Sequence, residues 1–259
     1  AARPPATPAP PRPPAQPFAE LHAVSSYSFL GGASDPEELV ERASQLGISA
    51  LGLLDRDGFY GAVKFAEAAA AAGIDTVFGA ELSLIDAPGA PVLPVIARGP
   101  EGYKRLSHLM ADAHMATREK DKVAYPPLEL VGERLGGTCV ALAGWRWAED
   151  SGQIDRVIDS FGEVNVVLEY EVSMTPEDAD HHALLDAVRD ARGYRLPAIV
   201  TAAPAAATRA ATLGTAHCRR QVDVDYGRQR VDPQLATGPL HGLSIEGGQA
   251  RFAGPWPRQ

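Results

Sequence analysis

Between Phe18 and Leu84 the chain repeats one pattern three times: a short apolar run ends in polar or glycine-rich residues, and a stretch of helical periodicity leads to the next run. The runs are LHAVSSYSFLGGAS (Leu21 to Ser34), ALGLLDRDG (Ala50 to Gly58) and VFGAELSL (Val77 to Leu84). With the segments between them they predict β-α-β-α-β. The first helix is expected over DPEELVERASQLG, where Asp35 suits the N-cap, Pro36 the first helical position, acidic residues the first turn, and Gly47 the stop. Leu39, Arg42, Ala43 and Leu46 give it the spacing of a helix laid on a sheet. ISALGLLD is apolar on both faces, as a strand in a barrel wall or a doubly covered sheet must be. YGAVKFAEAAAAAG is then an alanine-rich helix ended by Gly73.

The pattern continues. Val92 to Ala97 reads as a fourth strand, Glu101 to Ala116 as its helix, and Thr138 to Gly144 as a fifth strand after a charged, proline-broken surface loop, REKDKVAYPPLEL. VNVVLEYEV and LPAIVTA supply two more strands, with a capped helix over TPEDADHHALLDAVRDARGY between them. About seven βα units predict a barrel of parallel strands, on which Leu21, Leu53, Phe78, Val95, Leu142, Val167 and Ile199 lie. In such folds the loops after the strand C-termini converge on one face, so His22, Asp55, Asp57 and Glu81 can meet although far apart in sequence.

At 259 residues one domain with a substantial core is the expectation. It is placed at residues 18–212, after a leader and before an irregular extension (213–259) whose residues 238–259 suggest no fold. Residues 1–17, AARPPATPAPPRPPAQP, cannot form helix or sheet and read as a disordered leader, docking to a partner domain being the less favoured alternative. No run approaches the roughly 18 apolar residues of a membrane helix, and no secretory signal is recognisable, so a cytoplasmic location is expected. A net charge of -9 argues against strong nucleic-acid binding. Cys139 and Cys218 form neither a metal-ligand spacing nor a disulfide framework, which fits a reducing compartment.

The segments ELHAVSSYSFLGGAS, LLDRDG and GAE resemble the motifs ELHxHSxYSFLDGAS, LTDHDG and GxE of the polymerase-and-histidinol-phosphatase (PHP) domain at the start of bacterial DNA polymerase III α subunits, most closely the error-prone paralogue. The resemblance covers residues 18 to about 203. It implies a distorted (β/α)7 barrel of the metallo-dependent phosphoesterase-like type, one unit short of a triosephosphate-isomerase barrel. It also implies metal ligands, of which His22, Asp55 and Glu81 are retained. Where the family has further ligands this chain has Val24, Gly31, Arg56 and Val92, and Trp145 stands where a Gly-Cys-Arg turn has its cysteine. The last metal motif has no counterpart, since AAPAAAT follows the seventh strand and no histidine lies between His182 and His217.

Phosphoester hydrolysis on this plan needs two or three bridging ions and many ligands. His22, Asp55 and Glu81 would hold at most one divalent ion, zinc or manganese, at low occupancy, and no catalytic residue or resident cofactor is expected. On the other reading Asp55 binds loop amides, Arg56 and Lys64 neutralise the leftover carboxylates, His22 is a satisfied core histidine, and Asp57 with Gly58 forms a turn. Arg56, Asp57 and Trp145 line the same pocket. His108, His114, His181 and His182 read as surface residues, and Trp145 and Trp147 as packing residues. Two functions follow from the resemblance. One is a degenerate, non-catalytic scaffold or docking module in DNA replication or repair, with DNA polymerase or repair proteins as partners and no membrane. The other is a metal-dependent phosphoesterase or 3′ to 5′ exonuclease with a reduced metal site.

Overall fold

The computed structural model describes residues 18–208 except 30, 86–89, 118, 120–121 and 194, together with residue 211 and the backbone of 243–246 and 249–252. The expectations for 1–17 and for most of 213–259 therefore lie outside the described residues. Seven strands form one sheet in sequence order: β1 (Phe18–Ala23), β2 (Ile48–Arg56), β3 (Asp75–Leu82), β4 (Leu93–Ala97), β5 (Cys139–Gly144), β6 (Val166–Glu171) and β7 (Ala198–Thr201). Helices α1 (Pro36–Leu46) and α2 (Ala62–Ala72) connect the first three strands, and α3 (Gly99–Met115) follows β4. Then come α4 (Leu128–Leu135), α5 (Trp145–Ala148), α6 (Ser151–Phe161) and α7 (Asp178–Ala191). A separate antiparallel hairpin pairs β8 (Leu243–Glu246) with β9 (Gln249–Phe252).

The barrel is not wholly parallel. β4 runs antiparallel to both β3 and β5, while the other neighbouring pairs are parallel. Residues 83–92 are too few for a helical crossover, so the chain must turn back beside β3. Six strands still point their C-termini to one rim. Nor is the barrel closed by a strand ladder: β1 meets β7 through the Glu20 carboxylate, which accepts the Ala202 amide at 2.8 Å, and through Val24 N–H donating to Pro204 O at 3.0 Å. α4 begins at Leu128, within the last three residues of the segment expected as a surface loop, and Trp145 opens a helical turn.

Strand alternation sorts the side chains. Leu54, Leu142 and Ile199, with Leu21, Ile96, Val140 and Val167 against them, come from strands alone and fill the barrel interior. On the outside Leu51 and Leu53 pack with Leu39, Phe65 and Ala69 of α1 and α2. A larger outer cluster joins Leu82, Leu93, Leu168 and Val200 to Leu106, Leu135 and Val157 of the later helices. The first helix is built as its sequence predicts, with a capping box between Asp35 and Glu38 and Gly47 left-handed at φ 71°.

Candidate functional site

The same alternation carries charge into the barrel. Arg56 shares the face of Leu54, Glu81 lies opposite to Ala80 and Leu82, and Glu169, Glu171 and Thr201 follow Val167 and Ile199 inward. All lie near strand C-termini, at one rim. His22 joins them. Its Nδ1 is 2.7 Å from Glu169 Oε1 and its Nε2 is 2.9 Å from Glu81 Oε1, and all three side chains are buried. Thr201 Oγ1 donates to Glu169 Oε1 at 2.7 Å, and Arg56 Nε lies 3.5 Å from Glu81 Oε2.

Carboxylates only accept hydrogen bonds, so both contacts of His22 are satisfied when the ring carries two protons. Glu171 brings a third carboxylate to within 4.8 Å of His22 and Glu169, so the cluster gathers Glu81, Glu169 and Glu171 around one histidine and the Arg56 guanidinium. Glu20 completes the surroundings, accepting the His22 amide at 2.9 Å as well as that of Ala202. Burial pushes its carboxyl up from 4.5 to about 7, against the pull of those two amides and of His22. The linkage has a definite sign: in the window from 4.5 to about 7 the folded chain holds a proton that the unfolded chain has released, so stability falls as pH rises. The size is on the order of 3 kcal/mol. Melting temperature measured in chelator should decline across this window, and Glu20→Gln should flatten the slope there. An unchanged slope in the variant would assign the dependence to another group.

Asp55 is engaged elsewhere. It shares the outward face of Leu51 and Leu53, and its Oδ1 accepts Ser25 N–H at 2.9 Å, Ser25 Oγ at 2.8 Å and Ser28 Oγ at 2.9 Å. The Gly61 amide also donates to it, and burial still raises its carboxyl above the ordinary range. Glycine is required at position 61, where a Cβ would lie 2.8 Å from Asp55 Oδ2. Asp57 takes a left-handed φ of 53° and does hold a turn, as expected of it, but one tied to its surroundings. Its Oδ1 accepts Ser83 N–H at 2.9 Å and the Tyr125 hydroxyl at 2.8 Å, and its carbonyl accepts His114 Nε2 at 2.8 Å. His114 is thus a loop clamp as well as a surface residue.

The positions where ligands were expected carry other work. Val24 is buried and Val92 O accepts the Trp147 indole N–H at 2.9 Å. Trp145 stacks on His181 at 3.6 Å between centroids, with Arg146 over its ring. His182 turns the other way and donates to Glu171 O at 2.9 Å. The sequence reading did not single out Glu20, Glu169, Glu171 or Thr201. Its available signal was a carboxylate within an apolar strand: FAELHA once and VVLEYE twice. His22, Glu169 and Glu171 each bring a ligand atom to within 4.8 Å of the others, a donor set that suits one zinc-like ion. Glu81 on the far ring nitrogen would then orient the histidine.

His22 and Glu81 meet at the rim of a seven-stranded barrel while Asp55 is held by Ser25 and Ser28 on the other face of β2, and the PHP domain family matches residues 20–194. The chain belongs to the PHP family. An error-prone DNA polymerase of Corynebacterium glutamicum is 54% identical over 193 residues, covering 74% of this chain and 17% of the relative. Another, from Mycolicibacterium paratuberculosis, is 42% identical over 234 residues, covering 82% and 21%. The chain therefore spans about a fifth or less of the length of these relatives. In fold, the PHP domain is similar to a crystal structure described as a candidate metal-dependent phosphoesterase of Bifidobacterium adolescentis (TM-score 0.53, 16% identity, 74% of this chain and 88% of that one). A Chromobacterium violaceum amidohydrolase with bound sulfate and no metal gives a TM-score of 0.50 at 17% identity, over 73% and 87%. Among the described residues of this PHP domain, no helix is long and apolar enough to cross a membrane.

Proposed function

We propose that this PHP domain is a non-catalytic scaffold or partner-docking module related to error-prone DNA polymerases, acting in DNA replication or repair with a polymerase or repair protein as partner. The observation that carries the reading is the cluster of His22, Glu81 and Glu169 beside Arg56, in which both histidine nitrogens already face carboxylates. A hydrolytic cluster of two or three ions needs those atoms free and further ligands beside them. Here a fixed guanidinium occupies the position of one expected ligand, and a cation beside a carboxylate supplies charge that an ion would otherwise supply. The site is degenerate on this view, and its charges cross-link β1, β2, β3 and β6. The net charge of -9 fits a protein-docking role better than a grip on phosphates.

One observation favours the second reading, a metal-dependent phosphoesterase or 3′ to 5′ exonuclease with a reduced site. His22, Glu169 and Glu171 would hold a single divalent ion, which when bound supplies a Lewis acid and an activated water. Asp55, engaged by Ser25 and Ser28, contributes nothing to that ion, and Glu81 contributes orientation. The test is an assay with a 3′ end-labelled single-stranded oligonucleotide in added manganese. The scaffold reading predicts no cleavage above background, including for Arg56→His, since one restored imidazole does not rebuild a bridged site. Cleavage abolished by Glu169→Gln and Glu171→Gln would establish the hydrolase instead.

A further inference from the structure

At the rim of the barrel several loops leave apolar side chains outside the core clusters. Phe29 is 82% exposed and Tyr27 38% exposed in the loop after β1, Tyr60 is 56% exposed in the turn before α2, and Met115 is 82% exposed at the end of α3. α3 ends at this rim because β4 runs antiparallel and finishes at the opposite end, and His114 Nε2, 2.8 Å from Asp57 O, fixes its arrival. The four side chains are linked across their loops. Tyr60 Oη lies 3.3 Å from the His114 ring, next to Met115 in the chain, and the Lys64 ammonium lies 5.8 Å from the centroid of the Tyr27 ring. The backbone beneath them is held by Asp55 through Ser25 and Ser28, and by Asp57 through Ser83 and Tyr125. Exposed apolar side chains on loops fixed in advance mark a binding face, since docking on them costs little further ordering.

Charge selects the partner. Glu37 and Glu38 open α1 at this end, and Lys64, the cation beside Tyr27, is turned to Glu37 at 3.3 Å while Arg56 is turned to Glu81. Asp150 at the cap of α6 and Asp178 and Asp180 at the start of α7 continue the negative edge, because these helices also begin at the rim. We propose that the patch receives a basic amphipathic segment of a partner protein, its apolar side chains lying among Tyr27, Phe29, Tyr60 and Met115 and its lysines or arginines facing the carboxylates of α1. The inference rests on the scaffold reading and gives that scaffold a docking face and a partner chemistry. A nucleic-acid strand fits less well. Its bases would find two tyrosines to stack on, but its phosphates would meet Glu37 and Glu38, which already answer the positive end of the α1 dipole. The partner's apolar residues cover the rings, and its cations direct it to this rim.

The test titrates the isotopically labelled full chain with a synthetic amphipathic peptide of lysine and leucine. Amide shifts should concentrate at Tyr27, Phe29, Tyr60 and Met115. Combining Phe29→Ser with Tyr60→Ser should weaken binding roughly fivefold or more while leaving the melting temperature unchanged, since both side chains are exposed. The same peptide with glutamate in place of lysine should leave these amides unmoved. Shifts that avoid the rim, equal affinity of the double variant, or equal binding of the glutamate peptide each overturn the proposal. Rim shifts produced by a single-stranded oligonucleotide and not by the peptide overturn it in favour of a nucleic acid. Any of these results with the oligonucleotide left uncut removes only this face, whereas cleavage removes the scaffold reading on which the face rests.

Discussion

Replacing His22 by alanine is expected to lower the unfolding free energy by about 3–5 kcal/mol, because it strips a partner from two buried carboxylates at once. Glu81 and Glu169 lie at 2.9 and 2.7 Å from the ring, and both are buried. Arg56, at 3.5 Å from Glu81, compensates one of them only partly. The cost is therefore that of an uncompensated buried charge and not that of a cavity. Urea unfolding of His22→Ala alone and combined with Glu81→Gln and Glu169→Gln separates the two: neutralising the carboxylates should recover a large part of the loss. If the triple variant is no more stable than the single one, the paired-charge account of this cluster fails.

Asp55→Ala should cost about 4 kcal/mol. The Ser25 and Gly61 amides lose their acceptor inside the protein, and each orphaned buried donor costs about 1–3 kcal/mol. Burial of the ionised carboxyl, which raises its pKa, offsets part of this and keeps the figure below the sum of its bonds. The hydroxyls of Ser25 and Ser28 also bind Asp55, and Ser28 Oγ accepts the Arg56 amide at 2.9 Å, so this side chain ties the first half of the loop after β1 to β2, while Val24 and Ala33 tie it to the segment after β7. Proteolytic sensitivity between Ser25 and Ser34 should rise together with the loss of stability. Equal denaturation midpoints for Asp55→Ala and the parent chain would mean that the loop is held by other contacts.

Much of the barrel was legible in the sequence because each strand is bounded by punctuation that has one physical meaning: Asp35 and Pro36 open a helix, Gly47 and Gly73 end two. The direction of β4 was not, since an apolar pentapeptide reads alike in either direction and only the shortness of residues 83–92 reveals the reversal. The site was half legible. His22 and Glu81 meet as the motifs imply, yet β2 is apolar on both faces, so nothing in LLDRDG says that Arg56 points inward and Asp55 outward. Glu169 escaped for a different reason: its partner lies 147 residues away, and its own strand announces only that a charge inside an apolar run must be paired.

The central claim is that side-chain contacts among His22, Glu81, Glu169 and Arg56 take the place of bound ions at this site without supplying their chemistry. Elemental analysis of the chain purified without chelator tests it most directly. The account predicts zinc and manganese well below one equivalent per chain, unchanged by Glu171→Gln. Two tightly held ions per chain, or one that Glu169→Gln and Glu171→Gln remove, would contradict it.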